Sequence, residues 1–272
     1  MIGAMLKQIR VRPGDPVNLA GRDPSSTPTA PPGGRRAAEA QAADQLAVIG
    51  ELQTRLYAER RRSLLVVLQG VNCAGKSEAI RHVLCGMDPA GTRVVSFKAP
   101  TEQELAHDFL WRVHTQAPAA GQIAVFNRSP YDDVTTARVR RLAPQQVWRA
   151  RFEHINAFER LLGDRGTRVL KCFLHLSKEE QGRRMRARAE DPAQRWKVTA
   201  DDIADHQKYD DYTQAFGEMI DRTSTEETPW WVIPADQDWY RDWAVAEVLL
   251  RALKDIDPKY PTLPKIPASK TL

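Results

Sequence analysis

Short runs of apolar residues, many of them β-branched, recur along the chain between longer stretches of mixed polarity. Five of these runs have the length of a strand, and they occupy residues 64–68, 92–97, 122–126, 168–176 and 230–234. Runs that are apolar at consecutive positions are typical of strands buried on both faces of a parallel sheet. Apolar residues at helical spacing lie between them, notably at residues 101–114 and 144–162. The alternation predicts an α/β fold with a five-stranded parallel sheet and helices on both faces.

The chain before the first run divides into three parts. Residues 1–15 mix charged and apolar positions, as an ordered arm would, and residues 19–41 are rich in Pro, Gly, Ala and Ser, which predicts a flexible connector. A helical pattern then covers residues 43–62. Its apolar face carries Leu46, Ile49, Leu52, Leu56 and Tyr57. We therefore predict an arm and connector at residues 1–44 and one main domain at residues 45–272.

Composition and charge narrow the class of protein. Of 272 residues, 42% are hydrophobic and 28% are charged, as in globular proteins. No apolar stretch has the length of a membrane span, and the first residues carry charges where a signal peptide needs an apolar core. Three scattered cysteines, Cys73, Cys85 and Cys172, suit neither a disulfide framework nor a zinc site. We expect a cytoplasmic protein without a membrane partner, and the net charge of +5 modestly favours an anionic partner.

The first apolar run leads directly into a glycine-rich segment, GVNCAGKS, from Gly70 to Ser77. This segment has the complete phosphate-binding-loop pattern GxxxxGK[ST], and a helical stretch at residues 78–84 follows it. Gly70 and Gly75 let the backbone N–H groups converge on phosphate oxygens. Lys76 adds a positive charge, and the helix that begins there points its N-terminal dipole at the same anion. The sequence therefore predicts that this loop binds phosphate.

Ligands of such sheets bind at the carboxyl ends of the strands, so the segments after the other strands are the next candidates. Lys98 follows the second strand, and Arg112 lies in the helical stretch after it. Each is as readily a solvated surface side chain as a phosphate ligand. Arg128 follows the third strand, and its guanidinium is better placed as a phosphate clamp because it can bind two oxygens at once.

Asp132 and Asp133 lie just beyond Arg128. In phosphate-loop proteins an acidic group near the third strand often holds Mg²⁺, and here the neutral Asn127 occupies that place. The two carboxylates are therefore candidates for metal or nucleotide binding. Capping of a helix N-terminus is an equally good interpretation of both.

A basic helix is predicted after the fourth strand. Ser177 with Glu180 has the spacing of a helix capping box, and Arg184 and Arg188 share one face of the helix that follows, with Arg183 alongside. This helix is either an ordinary solvated one or part of a lid, at about residues 178–200, that closes on phosphates and excludes water.

Taken in order, these segments resemble the polyphosphate kinase 2 family, phosphate-loop enzymes that move phosphoryl groups between inorganic polyphosphate and nucleotides. The matching stretches lie between about residues 45 and 255 and include SFKAPT, HDFLWR, FNRSPYDDV, FLHLSKEEQ and TSTEETPWWVIPAD. The resemblance implies a thymidylate-kinase-like sheet, Mg²⁺ dependence, a basic polyphosphate channel, an arginine-bearing helical lid and assembly into a homo-oligomer. The catalytic residues that we expect are Lys76, Arg128, Arg184 and Arg188. The residues that we expect to contact phosphate or nucleotide are Gly70, Asn72, Ala74, Gly75, Lys76, Ser77, Lys98, Arg112, Asp132 and Arg183.

The chain departs from this family around its metal site. The family usually has Asp where this chain has Asn72, and more often Asp or Gly where it has Ser77. An amide brings no negative charge to a metal, whereas a hydroxyl at the position of Ser77 ligates Mg²⁺ in ordinary phosphate-loop proteins. We therefore expect Mg²⁺ to be held by Asn72, Ser77 and Asp133. Pro130 and Asp132 also replace the family's His and Glu in the segment that positions the acceptor.

The sequence favours an enzyme that transfers the terminal phosphoryl group of polyphosphate to a nucleoside mono- or diphosphate. Its nucleotide partners would be AMP and ADP or GMP and GDP, together with ATP. A kinase that uses ATP as donor to a nucleoside monophosphate fits the same loop and lid. Asn72 also suits a polyphosphate- or nucleotide-binding protein with weakened catalysis. A nucleic-acid partner is least favoured, because no recognised module is present and the basic residues cluster at predicted strand ends.

Overall fold

A five-stranded sheet lies at the centre of the computed structural model, which describes residues 6–262. The strands are β1 (Ser63–Gln69), β2 (Thr92–Ser96), β3 (Ile123–Asn127), β4 (Thr167–His175) and β5 (Trp230–Pro234). They lie in the order β2-β3-β1-β4-β5, and every neighbouring pair is parallel. Each predicted apolar run forms one strand, so the predicted α/β fold with a five-stranded parallel sheet is confirmed.

Helices alternate with the strands along the chain. In the described residues they are α1 (Gly34–Glu59), α2 (Lys76–Leu84), α3 (Glu102–Leu105), α4 (Trp111–His114), α5 (Asp132–Val139), α6 (Gln145–Asp164), α7 (Lys178–Glu190), α8 (Ala200–Gln207), α9 (Tyr209–Thr223) and α10 (Asp238–Ile256).

Both faces of the sheet are covered, because successive side chains of a strand point to opposite faces. Leu64 and Val66 of β1 belong to a buried cluster with residues of α1 and α10. Leu65 and Val67 belong to a second buried cluster with residues of α6 and α9. Since full burial of one such side chain contributes roughly 1.5–3 kcal/mol, these two layers stabilise the sheet beneath the site.

The register of the strands sets where the site forms. β1 is central, and its Leu68 lies opposite Asn127 of β3 and Cys172 of β4. Parallel strands in this register end at the same edge of the sheet. The phosphate loop after β1, the segment after β3 and helix α7 after β4 therefore converge there.

The N-terminal segment packs on the main domain, which agrees with an ordered arm but not with a flexible connector at residues 19–41. Helix α1 begins at Gly34, so the boundary predicted at residue 45 falls inside a helix. Ile9 is 1% exposed, and its carbonyl accepts a hydrogen bond of 2.7 Å from the backbone N–H of Val232 in β5. Thr29 is buried against Tyr240 of α10, with 2.7 Å between their hydroxyl oxygens. Composition suggested a connector because Pro and Gly indicate local turns but say nothing about tertiary contacts.

The helix predicted over residues 101–114 is two short helices, α3 and α4. Thr101 forms a capping box with Glu104 at the start of α3, and the helix ends at Leu105. The Asp108 carboxylate then accepts a hydrogen bond of 2.9 Å from the backbone N–H of Leu110. Such a local bond competes with helical hydrogen bonding, which explains the break.

The segment predicted as a lid at about residues 178–200 ends where a further helix begins. It contains α7 and a short 3-10 turn at Arg195–Lys197, and helix α8 begins at its end. Thr199 and Asp202 form a capping box at the start of α8. None of the helices in residues 6–262 combines the length and apolar content that crossing a membrane needs.

Candidate functional site

The phosphate loop turns at two glycines whose backbone requires the absence of a side chain. Gly70 has φ 144° and Gly75 has φ 91°, both in the region that favours glycine. A Cβ at Gly70 would lie 2.6 Å from the carbonyl oxygen of Leu174, and a Cβ at Gly75 would overlap the guanidinium of Arg241. Gly75 is the N-cap of α2, so the N-terminal dipole of that helix points into the loop.

Lys76 is the buried cation of the loop. Its side chain folds back so that Nζ donates to the carbonyl oxygens of Gly70 at 2.8 Å and Val71 at 3.0 Å. Burial, with a smaller contribution from the nearby charge of Arg128, lowers the pKa of Lys76 to about 8. A phosphate anion bound at the loop would stabilise the charged ammonium of Lys76 and raise its pKa, so anion binding at this position is favoured.

The segment after β3 reaches the loop from one side. Asn127 Nδ2 donates to Ser77 Oγ at 3.2 Å, and Arg128 Nη2 donates to Asn72 Oδ1 at 2.7 Å. Arg128 is exposed and has φ 66°, an uncommon conformation for arginine that aims its side chain back over the loop. Two residues expected to bind phosphate, Asn72 and Arg128, are therefore in direct contact.

Asp133 and Arg112 form a partly buried pair at the far side of the site. Arg112 Nη2 lies 3.4 Å from Asp133 Oδ2, and Arg112 Nη1 donates to the carbonyl oxygen of Lys98 at 2.9 Å. Burial raises the pKa of Asp133, and the positive charge of Arg112 opposes that rise. Asp132 accepts a hydrogen bond of 3.2 Å from Gln69 Nε2 at the end of β1.

Two of the four arginines of α7, Arg184 and Arg188, contact the phosphate loop. Arg184 Nη1 donates to the carbonyl oxygen of Cys73 at 3.2 Å, and Arg188 Nη1 lies 3.3 Å from Cys73 Sγ. Arg183 instead pairs with Glu180, and its side chain is 64% exposed. The basic helix thus lies over the loop, but only Arg184 and Arg188 reach its backbone or side chains.

Two cavities meet at the loop. The larger has a volume of about 650 Å³ and a lining that combines polar and apolar groups, among them Lys98, Arg112, Asp132, Asp133, Leu105 and Leu142. The smaller has a volume of about 170 Å³, and its lining includes Arg183, Arg184 and Arg241. Cys73 and Arg188 line both cavities, so the two spaces are neighbours across the loop.

The comparison with known families decides the assignment. A sequence model of the family described as Polyphosphate kinase 2 matches residues 34–261. The chain belongs to the polyphosphate kinase 2 family. It is a kinase-type phosphotransferase, and the predicted resemblance is confirmed.

Similar proteins support the assignment over nearly the whole chain. An AMP/ADP-polyphosphate phosphotransferase of Meiothermus ruber is 46% identical over 260 residues, which cover 94% of this chain and 96% of that protein. An ADP-polyphosphate phosphotransferase of Rhodopseudomonas palustris is 38% identical and covers 80% of this chain and 79% of its own length. A crystal structure of polyphosphate kinase 2 from Arthrobacter aurescens has a TM-score of 0.92 at 40% identity, covering 97% of this chain and 93% of that one.

Two residues at the start of α10 belong to the site but were not among the sequence-based candidates. Arg241 is 2% exposed, and its guanidinium packs on Gly75. Asp238 joins Arg241 to the α7 arginines, since its Oδ1 accepts from Arg241 Nη1 and lies 2.9 Å from Arg184 Nη2. The segment after β5 drew no candidate because it carries no phosphate-binding pattern.

A third residue that the sequence did not single out is Asp202 of α8. Its carboxylate accepts a hydrogen bond from Asn72 Nδ2 of the phosphate loop. The spacing of Asp202 from Thr199 is a signal for a helix start, but it gives no hint of a contact with a loop so distant along the chain.

The Mg²⁺ that the family implies fits the phosphate loop through few protein ligands. Ser77 Oγ is exposed and accepts only one hydrogen bond from Asn127, which leaves a lone pair for a cation. Asn72 Oδ1 and Asp133, the other two expected ligands, each face an arginine instead. Among the described residues no group of three His, Cys, Asp or Glu side chains could hold a metal. Such sparse coordination suits Mg²⁺, which keeps several waters and bridges substrate phosphates.

Proposed function

We propose that this chain transfers the terminal phosphoryl group of inorganic polyphosphate to AMP or ADP in a Mg²⁺-dependent reaction. The observation that carries the proposal is the junction of the two cavities at Cys73 and Arg188, beside Lys76 and the glycine turns of the loop. The names of the relatives, which are phosphotransferases of AMP, ADP and polyphosphate, support the choice of substrates.

The lining of each cavity favours one substrate. The smaller cavity is rich in guanidinium groups, which bind phosphate oxygens at fixed geometry, so we assign it to polyphosphate. The larger has room for a nucleotide, and it offers apolar surface at Phe97, Leu105 and Leu142 next to Lys98 and Arg112. We therefore place the acceptor nucleotide there, with its phosphates toward Arg128.

The chemistry needs positioning and charge neutralisation, with no covalent intermediate. An oxygen of the acceptor phosphate forms a bond to the terminal phosphorus of polyphosphate. The bond from that phosphorus to its bridging oxygen breaks, and the polymer leaves one phosphate shorter. Lys76 and the loop N–H groups hold the transferring group, and Arg128, Arg184 and Arg188 stabilise its charge.

Mg²⁺, when bound, would neutralise charge on the phosphate oxygens of both substrates. The chain's contribution is the Ser77 hydroxyl, which Asn127 Nδ2 orients at 3.2 Å. Asn72 stays with Arg128 in this arrangement. Ser77→Ala would then lower activity strongly and raise the Mg²⁺ concentration that the reaction needs.

The test is nucleotide formation from polyphosphate with AMP, ADP, GMP or GDP as acceptor, with and without Mg²⁺. Wild type should form product with the adenine nucleotides, and the guanine nucleotides show how far the site accepts another purine. Lys76→Ala should abolish product. A competing assay with ATP as donor to AMP tests whether the protein is instead an ATP-dependent monophosphate kinase; faster transfer from ATP than from polyphosphate would contradict the proposal.

A second candidate function rests on Asn72, which brings no negative charge to the metal site. On that basis the chain would bind polyphosphate or nucleotide and turn over little of either. Polyphosphate binding that weakens with rising salt, together with no product in any of the assays above, would favour this candidate.

A further inference from the structure

Helices α7 and α8 each form a hydrogen bond with Asn72 of the phosphate loop. The side-chain Nδ2 of Asn72 donates to Asp202 Oδ1 at the start of α8. Its backbone carbonyl accepts a hydrogen bond of 3.1 Å from Gln181 Nε2 of α7, and Gln181 Oε1 lies 2.8 Å from His206 Nδ1 of α8. Both ends of α8 are thereby connected to one position in the loop.

The chemistry of its two partners fixes the orientation of the Asn72 amide. Arg128 can only donate hydrogen bonds, and its Nη2 lies 2.7 Å from Asn72 Oδ1. The Asp202 carboxylate can only accept, and it faces Asn72 Nδ2. Each partner requires the same orientation of the amide, so the bond to Asp202 helps to keep the oxygen of Asn72 toward Arg128.

Asp202 is itself fixed, and α8 is anchored on its other side. Asp202 Oδ2 accepts from the backbone N–H of Thr199 at 2.9 Å and from its hydroxyl at 2.8 Å. Arg140, at the end of α5, donates through Nε and Nη2 to both carboxylate oxygens of Asp205, at 3.0 and 2.7 Å. Helix α8 is therefore bonded to α5 on one side and to the phosphate loop on the other, and its Asp202 and Asp205 line the larger cavity.

We propose that Asp202 is a positioning residue of the phosphoryl-transfer site. Through its bond to Asn72 it latches α8 to the phosphate loop and keeps Arg128 oriented over that loop. The latch follows from the contacts alone, and only the role of Arg128 in transfer rests on the proposed function. The position of α8 and the orientation of an active-site arginine are thus linked through Asn72.

Substituting Asn72 should break its bond to Asp202, and a second substitution at Asp202 should restore that bond. Asn72→Asp keeps an acceptor for Arg128 but sets one carboxylate against another, which removes the latch unless a cation lies between them. Adding Asp202→Asn restores the bond with its direction reversed, because the amide introduced at position 202 can donate to the carboxylate introduced at position 72. The pair of variants therefore separates the latch from any general effect of either change.

The first test is amide hydrogen exchange of residues 200–207 in the full-length protein, with EDTA and without substrate. Asn72→Asp should lower protection about tenfold or more, which corresponds to a lost charge-assisted hydrogen bond, and the double variant should recover most of it. Asp201→Asn, which removes a neighbouring exposed carboxylate, should change protection no more than a few-fold. Wild-type protection in Asn72→Asp, or no recovery in the double variant, would overturn the latch.

The second test asks whether Asp202 acts on transfer through Asn72. Asp202→Ala should lower kcat with little change in the KM for nucleotide, and it should have no further effect in a protein that already carries Asn72→Ala. Equal losses of kcat in both backgrounds would mean that Asp202 only caps α8 through Thr199, and would overturn its positioning role. Absence of any transfer in wild type would instead defeat the proposed function, while the exchange experiment would still decide the latch.

Discussion

Gly75 combines a strained backbone angle with a close neighbour. Its φ of 91° costs a residue with a Cβ roughly 1–2 kcal/mol, and that Cβ would overlap the Arg241 guanidinium. The neighbour cannot withdraw freely, since Arg241 is buried and bonded to Asp238 and Asp242. The phosphate loop and α10 therefore pack closely together at Gly75.

Gly75→Ala should accordingly weaken binding of inorganic tripolyphosphate by at least about tenfold and lower stability by about 1–3 kcal/mol. Calorimetric titration and denaturant unfolding measure the two effects. Gly163→Ala is the matched control, because Gly163 is exposed in α6 and nothing lies within 4 Å of an added Cβ. That control should be neutral or stabilising by about 0.5–1 kcal/mol. Wild-type binding by Gly75→Ala would contradict the close fit.

The lowered pKa of Lys76 predicts how binding depends on pH. In the free protein the pKa of Lys76 is about 8, and a bound polyanion raises it because the ammonium gains an opposite charge. Above about pH 8 the free protein must take up a proton to bind, so affinity falls with rising pH, by up to about tenfold per pH unit. Below that range this group contributes no pH dependence.

Calorimetry of tripolyphosphate binding at pH 7 and pH 9, in buffers of different ionisation enthalpy, counts the protons taken up. Wild type should take up close to one more proton at pH 9 than Lys76→Met does. Equal proton uptake by the two proteins at pH 9 would show that Lys76 is already charged in the free loop.

Some residues of the site belong to a local sequence motif, whereas others reach the site only through the tertiary structure. Gly70, Gly75 and Lys76 form a contiguous motif with a known geometry, so the sequence sufficed to predict their place. Arg241 and Asp202 lie far from the loop along the chain, and nothing local marks an arginine whose partner is a glycine more than half the chain away. Their contacts with the loop follow only from tertiary packing.

Lys171 joins strand β4 to helix α6 through a buried ion pair. Its Nζ lies 2.7 Å from Glu159 Oε2, and the two side chains are 0% and 4% exposed. Lys171 Nζ also lies 3.2 Å from the Tyr131 hydroxyl, which donates to Glu159 at 2.6 Å. Tyr131 is the N-cap of α5, whose first residues face the larger cavity, so this network anchors one wall of the site.

Lys171→Met should therefore cost about 3–5 kcal/mol, because it leaves the Glu159 carboxylate buried without its partner. Lys171→Met combined with Glu159→Leu should recover most of that loss. Lys178→Met is the control, since its 3.6 Å pair with Asp210 is exposed and worth at most about 1 kcal/mol. Denaturant unfolding of wild type and these variants measures each effect. A loss below about 1 kcal/mol for Lys171→Met would contradict the anchoring role.

Strands were easier to predict from the sequence than the helices between them. The four strands β1, β3, β4 and β5 are mostly buried and therefore mostly apolar, which makes them visible in the sequence. The edge strand β2 is half-exposed, and its β-branched residues marked it. Residues 101–114 also have an amphipathic helical pattern. The Asp108 carboxylate, however, accepts a hydrogen bond from the backbone N–H of Leu110, which interrupts the predicted helix. Likewise, Lys171 inside an apolar run gave no indication of Glu159, its partner from another element.

The N-terminal segment belongs to the same packed unit as the sheet. Leu6, Ile9 and Val11 are each at most 3% exposed, and the segment pairs with β5 through Ile9 and Val11. Residues before the start of the family match at residue 34 thus extend the core.

Ile9→Ala should destabilise the protein by about 2–5 kcal/mol, the range for truncation of a fully buried aliphatic side chain. Leu161→Ala, at a position 52% exposed in α6, should change stability by no more than about 0.5 kcal/mol. Thermal or denaturant unfolding of both variants checks this. Equal stabilities would mean that the segment is not held against the sheet.

The arrangement of the two cavities predicts that both substrates bind before the phosphoryl group is transferred. The cavities share Cys73 and Arg188 at the phosphate loop, so polyphosphate and nucleotide should occupy the protein together. No Cys–His or Ser–His pairing in the sequence suggests a side chain that would carry the phosphoryl group in between.

Initial rates of phosphoryl transfer, measured while the concentrations of polyphosphate and AMP or ADP are varied against each other, test this account. Direct transfer in a complex with both substrates predicts reciprocal plots that intersect, with all activity lost in Lys76→Ala. Parallel plots would show that a phosphorylated protein forms first, and transfer that survives in Lys76→Ala would place the reaction elsewhere; either result would contradict the account.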